Sequence, residues 1–86
     1  MRTQTKPPVP SKQAVKYLNG LDAKNQQRIK KGIEKIPQGD IVPYEGNKEY
    51  FRLRIGKYRI LFKWIDDSQI FISFIDSRGQ VYKKGV

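Results

Sequence analysis

Glu49-Tyr50-Phe51-Arg52-Leu53-Arg54-Ile55-Gly56-Lys57-Tyr58-Arg59-Ile60-Leu61-Phe62-Lys63-Trp64-Ile65 is the stretch whose reading decides the fold. Apolar and polar residues alternate on both sides of Gly56-Lys57, the pattern of two strands joined by a two-residue turn. Side chains of a strand point to opposite faces with a period of two. One face of the first strand therefore carries Phe51, Leu53 and Ile55, and the other carries Tyr50, Arg52 and Arg54. The short turn sets Ile55 opposite Tyr58 and Arg54 opposite Arg59. Counting outward, Leu53 meets Ile60, Arg52 meets Leu61, Phe51 meets Phe62 and Tyr50 meets Lys63. The hairpin thus has one apolar face and one face bearing three arginines, a lysine and a tyrosine. Arg54 and Arg59 become direct cross-strand neighbours, and like charges so placed are destabilising. Tolerance of that arrangement points to a site for something anionic.

Working outward, the residues before the hairpin read as helices. Ser11 is placed to cap a helix from about Lys12 to Leu18, with Ala14, Val15 and Leu18 on one side. Asn19-Gly20 ends it. Asp22 caps a second helix from about Ala23 to Ile36, whose apolar stripe is Ile29, Ile33 and Ile36, and Pro37 and Gly39 stop it. Lys24, Arg28, Lys30, Lys31 and Lys35 occupy its other sides as a solvated basic surface. Gln38 to Lys48 reads as a connecting loop. Met1 to Pro10, with prolines at 7, 8 and 10, reads as a flexible arm or at best a short edge strand around Thr3 to Lys6. After the hairpin, Asp66-Asp67-Ser68 makes a turn and Gln69 to Ile75 a third strand, with Ile70, Ile72 and Phe74 on one face. Val81 to Lys84 forms a short last segment. Helices followed by strands argue for an α+β domain. The expected architecture is a single domain over residues 1–86, with two helices on one face of a small twisted antiparallel sheet of three to four strands.

Composition narrows the chemistry. Neither cysteine nor histidine occurs, which removes disulfides, thiolate metal sites and the commonest general base. No metal or cofactor is expected. The 18 Lys and Arg against 8 Asp and Glu give a net charge of +10, which favours a polyanionic partner. No apolar run exceeds three residues, as at Ile60 to Phe62, so no membrane span is expected, and the first residues lack the apolar core of a secretory signal. A cytoplasmic protein is the expectation.

On the basic face, Arg52, Arg54, Arg59 and Lys63 are joined by Arg78 and Tyr82 towards the C-terminus. Guanidinium groups bind phosphate bidentately, and Tyr50 and Tyr82 are suited to stack on bases. Such a face suits RNA, and it also suits a phosphate that gains charge under attack. The plainer alternative is a solvated sheet face with scattered arginines. Tyr58 and Trp64 share the phase of Ile60 and Phe62 and belong to the core.

These residues carry a resemblance. Tyr50 to Phe62, Tyr-Phe-Arg-Leu-Arg-Ile-Gly-Lys-Tyr-Arg-Ile-Leu-Phe, resembles the central hairpin signature of the RelE/ParE superfamily of bacterial toxins. Ile75 to Lys83 is similar to its closing segment, with an arginine a few residues before Val-Tyr, and Ser11 to Leu18 with Leu21-Asp22 is similar to its first helices. The resemblance implies the toxin of a type II toxin–antitoxin system, with a cognate acidic antitoxin as partner. In the RelE-like branch it implies a ribosome-dependent mRNA endonuclease, an mRNA interferase that inhibits translation through attack of the ribose 2′-hydroxyl on the adjacent phosphate. Ribosome and mRNA are then further partners. It implies catalytic roles for Arg59, Arg78, Tyr82 and Arg54, and RNA or phosphate binding by Arg52, Lys57, Lys63, Tyr50 and Lys48. The ParE-like branch shares the fold and inhibits DNA gyrase instead, and a non-catalytic antitoxin-binding member is a third possibility.

Overall fold

The computed structural model describes residues 2–77. Arg78, Tyr82 and the expected segment at Val81 to Lys84 lie outside the described residues. In chain order the elements are β1 (Val9–Pro10), α1 (Lys12–Asn19), α2 (Ala23–Glu34), β2 (Asp40–Pro43), β3 (Tyr50–Ile55), β4 (Tyr58–Asp66) and β5 (Gln69–Ser77). The strands form one sheet in the order β1-β5-β4-β3-β2.

The hairpin β3-β4 pairs in the expected register, from Ile55 opposite Tyr58 out to Tyr50 opposite Lys63. Gly56 opens its turn at φ +57°, a left-handed conformation that costs a side-chain-bearing residue about 1–2 kcal/mol. The α+β class is therefore as expected, but the sheet is not. Among the described residues it has five strands rather than three to four, and it is mixed rather than antiparallel. Two short edge strands make the difference. Asp40–Pro43, inside the expected loop, pairs antiparallel with β3, and Val9–Pro10 pairs parallel with β5.

The arm is ordered by hydrogen bonds, and its strand lies after Lys6 rather than before it. The amides of Thr3, Thr5 and Lys6 donate to the carbonyls of Asp67 and Ser68. Gln4 Nε2 donates to the carbonyls of Ile33 and Ile36, at 2.7 and 3.1 Å. Ile33 lies in the last turn of α2, whose final carbonyls have no partner within the helix. Ser11 then serves two elements. Its Oγ accepts from the Ala14 amide, capping α1, and donates to the Ser73 carbonyl at 2.7 Å.

The helices cover one face of the sheet. Ile29, Ile33 and Ile36 meet Leu53, Tyr58, Ile60, Phe62, Ile70, Ile72 and Ile75 in one buried cluster. Each such aliphatic or aromatic side chain contributes about 1.5–3 kcal/mol on burial, so this cluster dominates the stability of so short a chain. In α1 the stripe is Ala14, Tyr17 and Leu18, and Val15 is 42 % exposed. Tyr17 takes the expected place of Val15 because its ring packs edge-on against Tyr58, with centroids 6.4 Å apart.

The third long strand departs from simple alternation. Phe62 pairs with Ile72 but Leu61 with Phe74, so Ser73 is an extra residue bulged from the ladder. The bulge changes the phase of everything after it. Ile75 and Ser77 turn to the core, and Phe74, expected beside Ile70 and Ile72, turns to the open face. Gln13 holds this part of β5 by pairing with Ile75 as a strand would: Nε2 donates to its carbonyl and Oε1 accepts from its amide. Among the described residues no helix is long and apolar enough to cross a membrane.

Candidate functional site

The face of the sheet away from the helices is built in three cross-strand rows. Asp40 faces Arg54, Arg54 faces Arg59, and Arg59 faces Asp76, across β2, β3, β4 and β5. The next row is Val42, Arg52, Leu61 and Phe74. The third is Tyr50, Lys63 and Phe71. The open face is therefore mixed, with basic, acidic and apolar members, and it is less uniformly basic than alternation in the hairpin alone suggests.

The first row resolves the opposed arginines. Arg54 and Arg59 are flanked by Asp40 and Asp76, so the like-charge pair sits between two carboxylates. Arg59 and Asp76 form a bidentate pair, Nε to Oδ1 at 3.0 Å and Nη2 to Oδ2 at 2.7 Å, in which both side chains remain about one-third exposed. Two parallel charged hydrogen bonds fix the guanidinium plane. Asp76 is thus a site residue that hairpin reasoning missed. Its placement depends on the bulge at Ser73, for without the phase change Asp76 points into the core.

Arg52 has the opposite circumstance. Its Nε is buried and has no hydrogen-bond partner, and no carboxylate pairs with it among the described residues. Buried donors without a partner are rare in folded proteins and costly. Arg52 and Arg59 line one concavity of about 230 Å³, with Tyr44, Leu61, Phe74 and Asp76 as its other walls. Tyr44 and Phe74 are 39 % and 43 % exposed, an aromatic rim on a cationic floor.

The remaining expected residues are spread more widely. Arg54 is exposed on the same face, one strand over from Arg59. Lys63 lies against the Tyr50 ring, Nζ 5.5 Å from its centroid, and 4.0 Å from Glu49 Oε1. Lys48 is exposed near Lys63 at the far end of the hairpin, beside a separate cleft. Lys57 is not brought to the open face. It sits in the turn with Nζ 5.6 Å from the ring centroid of Tyr58, a residue of the helix-covered side. Arg78 and Tyr82 lie outside the described residues.

A folded arrangement of this kind, two helices on one side of a five-stranded sheet, has a counterpart among known structures. The chain is similar to a chain in the crystal structure of the RelB-RelE antitoxin–toxin complex from Methanococcus jannaschii, with a TM-score of 0.68 and 26 % identity. The likeness spans 88 % of this chain and 96 % of that one. It links the chain to a toxin–antitoxin fold. No family model matches the sequence, and no curated protein does.

Proposed function

We propose that the chain is the toxin of a toxin–antitoxin pair and acts as a ribosome-dependent endoribonuclease. The observation that carries this reading is the concavity in which Arg52, whose buried Nε has no hydrogen-bond partner among the described residues, stands beside Arg59, held by Asp76. Two guanidinium groups under an aromatic rim suit a phosphodiester and the base next to it. In this reading the 2′-oxygen of the substrate attacks the adjacent phosphorus. That forms a 2′,3′-cyclic phosphate as the bond to the leaving 5′-oxygen breaks; the 2′-hydroxyl proton passes to water and the 5′-oxygen takes one from water. Arg59 and Arg52 stabilise the charge that gathers on the phosphate oxygens. Arg54 and Lys63 hold the flanking backbone, and Tyr50 offers a stacking surface. The family resemblance adds catalytic roles for Arg78 and Tyr82, the tyrosine stacking on a base or serving as a proton donor. An acidic antitoxin segment is the natural inhibitor of a chain of net charge +10. The cytoplasm, where ribosomes are, is the matching location.

The experiment is translation of a defined mRNA on purified ribosomes with the full chain added. The expected result is cleavage within translated codons. Arg59→Ala is expected to slow it by about 100- to 1000-fold, the loss typical of one preorganised charge-stabilising donor. Intact mRNA with unimpeded translation overturns the reading.

One observation favours a second reading. Asp40 and Asp76 balance the charge of Arg54 and Arg59 within their row. A balanced row suits a non-catalytic member that binds an antitoxin, or one that inhibits gyrase by protein contacts. Growth arrest on expression without mRNA cleavage, together with loss of supercoiling in vitro, selects the gyrase-directed form. Absence of any growth effect selects the non-catalytic form.

A further inference from the structure

A larger cleft lies at the opposite end of the hairpin from Asp76. It holds about 770 Å³ between the start of β3, the end of β4 and the N-terminal arm. Three cations reach it, Arg2, Lys48 and Lys63, and three aromatic side chains wall it, Phe51, Trp64 and Phe71. The Arg2 guanidinium lies 5.9 Å from the Trp64 ring centroid. Among the described residues Glu49 is the one carboxylate of its lining, and its contact with Lys63 is a long 4.0 Å. Ile65, the extra residue of a second bulge in β4, is 49 % exposed at its edge.

Cations interleaved with aromatic faces are the recognition chemistry of single-stranded nucleic acid: charges track the backbone, and π faces accept any base. An acidic peptide needs the cations but not three aromatic walls. Phe51 and Trp64 belong to the helix side, packed against the core cluster, while Phe71 and Lys63 belong to the open face, so the cleft draws on both faces and adjoins, through Lys63, the strand that leads to Arg59. Lys63 is four residues beyond Arg59 on β4, roughly 13 Å along the strand at about 3.3 Å per residue. We infer that this cleft is a second subsite for single-stranded RNA, where a base stacks beside Trp64 while Lys48 and Lys63 hold the backbone leading to the Arg59 concavity. The inference rests on the proposed RNA-directed function and extends it to a binding site away from the scissile phosphate.

Trp64 is the sole tryptophan of the chain, so its emission reports on this cleft alone. The probe is a short unstructured oligoribonucleotide with 2′-O-methyl groups, which cannot supply the attacking hydroxyl. Titrated into the full chain, it is expected to quench Trp64 saturably. Inorganic polyphosphate of equal charge is expected to leave the emission unchanged. The double variant Lys48→Ala/Lys63→Ala is expected to weaken binding by about tenfold or more at low salt, with a shallower salt dependence. Phe71→Leu, which keeps an apolar side chain for packing, is expected to weaken it by several-fold. If a labelled oligonucleotide binds by anisotropy while Trp64 emission stays constant, the inference is overturned. Absence of binding overturns it too, as does equal quenching by an acidic peptide of the same charge. The ribosome assay keeps the two proposals apart. Cleavage with a silent Trp64 removes the subsite alone, and a quenched Trp64 without cleavage removes the nuclease and leaves the subsite.

Discussion

The two faces of this sheet are built from the same strands and obey different rules. On the helix side, Leu53, Ile60, Phe62, Ile70, Ile72 and Ile75 are buried and make non-directional contacts. On the open side, Asp40, Arg54, Arg59 and Asp76 form a row in which each charge has a defined neighbour, and Leu61 and Phe74 lie beside it. On the covered face, total apolar volume decides stability, and the identity of any one neighbour matters less. On the open face the identity of each neighbour decides the chemistry. The face of Phe74 and Arg52 is also the one whose burial is incomplete, so substitutions there are expected to affect function more than folding.

The largest expected effect tests the covered face. Phe62 is 1 % exposed and stacks on Phe51 with ring centroids 5.8 Å apart. Phe62→Ala is expected to cost about 3–5 kcal/mol, from lost transfer energy and the cavity left behind. Phe74→Ala, on a side chain 43 % exposed, is expected to stay within about 0.5 kcal/mol. Urea unfolding of both variants measures the contrast. A comparable loss at Phe74 breaks the distinction between the faces, because the open side then behaves as a second core.

A smaller effect tests the charged row. Asp76→Asn keeps the shape of the side chain and removes the charge that holds Arg59. The pair is about one-third exposed, so solvent screens it, and a loss of about 0.5–1 kcal/mol is expected, shrinking as salt is added. A double-mutant cycle with Arg59→Gln isolates the coupling. If the coupling is absent, Asp76 does not position Arg59, and the concavity loses its fixed guanidinium.

These contrasts explain what could be read from the chain and what could not. The β3-β4 register was legible because a two-residue turn at Gly56-Lys57 leaves one alignment that keeps Leu53, Ile60 and Phe62 together. The same alternation placed Tyr50, Arg52, Arg54, Arg59 and Lys63 on one face, as observed. The phase of β5 was not legible. Its bulge is held by Gln13 and Ser11, both about sixty residues away in sequence, and no local pattern around Ser73 marks it. Phe74 and Asp76 were misplaced or missed for that reason. Of the two edge strands, Asp40–Pro43 was not foreseen and the arm strand was placed at Thr3 to Lys6 rather than Val9–Pro10, because both are short, contain proline, and gain their pairing from non-local neighbours.

The smallest expected effect is a pH dependence on the covered side. The Tyr17 hydroxyl is buried without a well-formed hydrogen bond among the described residues. Burial raises its pKa above the ordinary phenol value of 10.0, the negative ends of Tyr58 and Asp76 add to the rise, and nearby Ser77 opposes it. A raised phenol pKa means that the folded state holds the proton more tightly than the unfolded chain does. The stability this contributes is complete below the unfolded value, and it is lost as pH rises through the folded one. Unfolding midpoints are therefore expected to fall as pH rises above 10.0, with tyrosinate absorbance showing one residue that ionises at higher pH than a free phenol. Tyr17→Phe is expected to remove that part of the alkaline slope. At neutral pH it is expected to cost less than about 0.5 kcal/mol, because the hydroxyl it deletes has no well-formed hydrogen bond among the described residues. A neutral-pH loss well above that figure would mean that Tyr17 and Ser77 form a true hydrogen bond at the end of β5. The covered face would then hold its last strand by a directional contact, as the open face does, rather than by apolar volume alone.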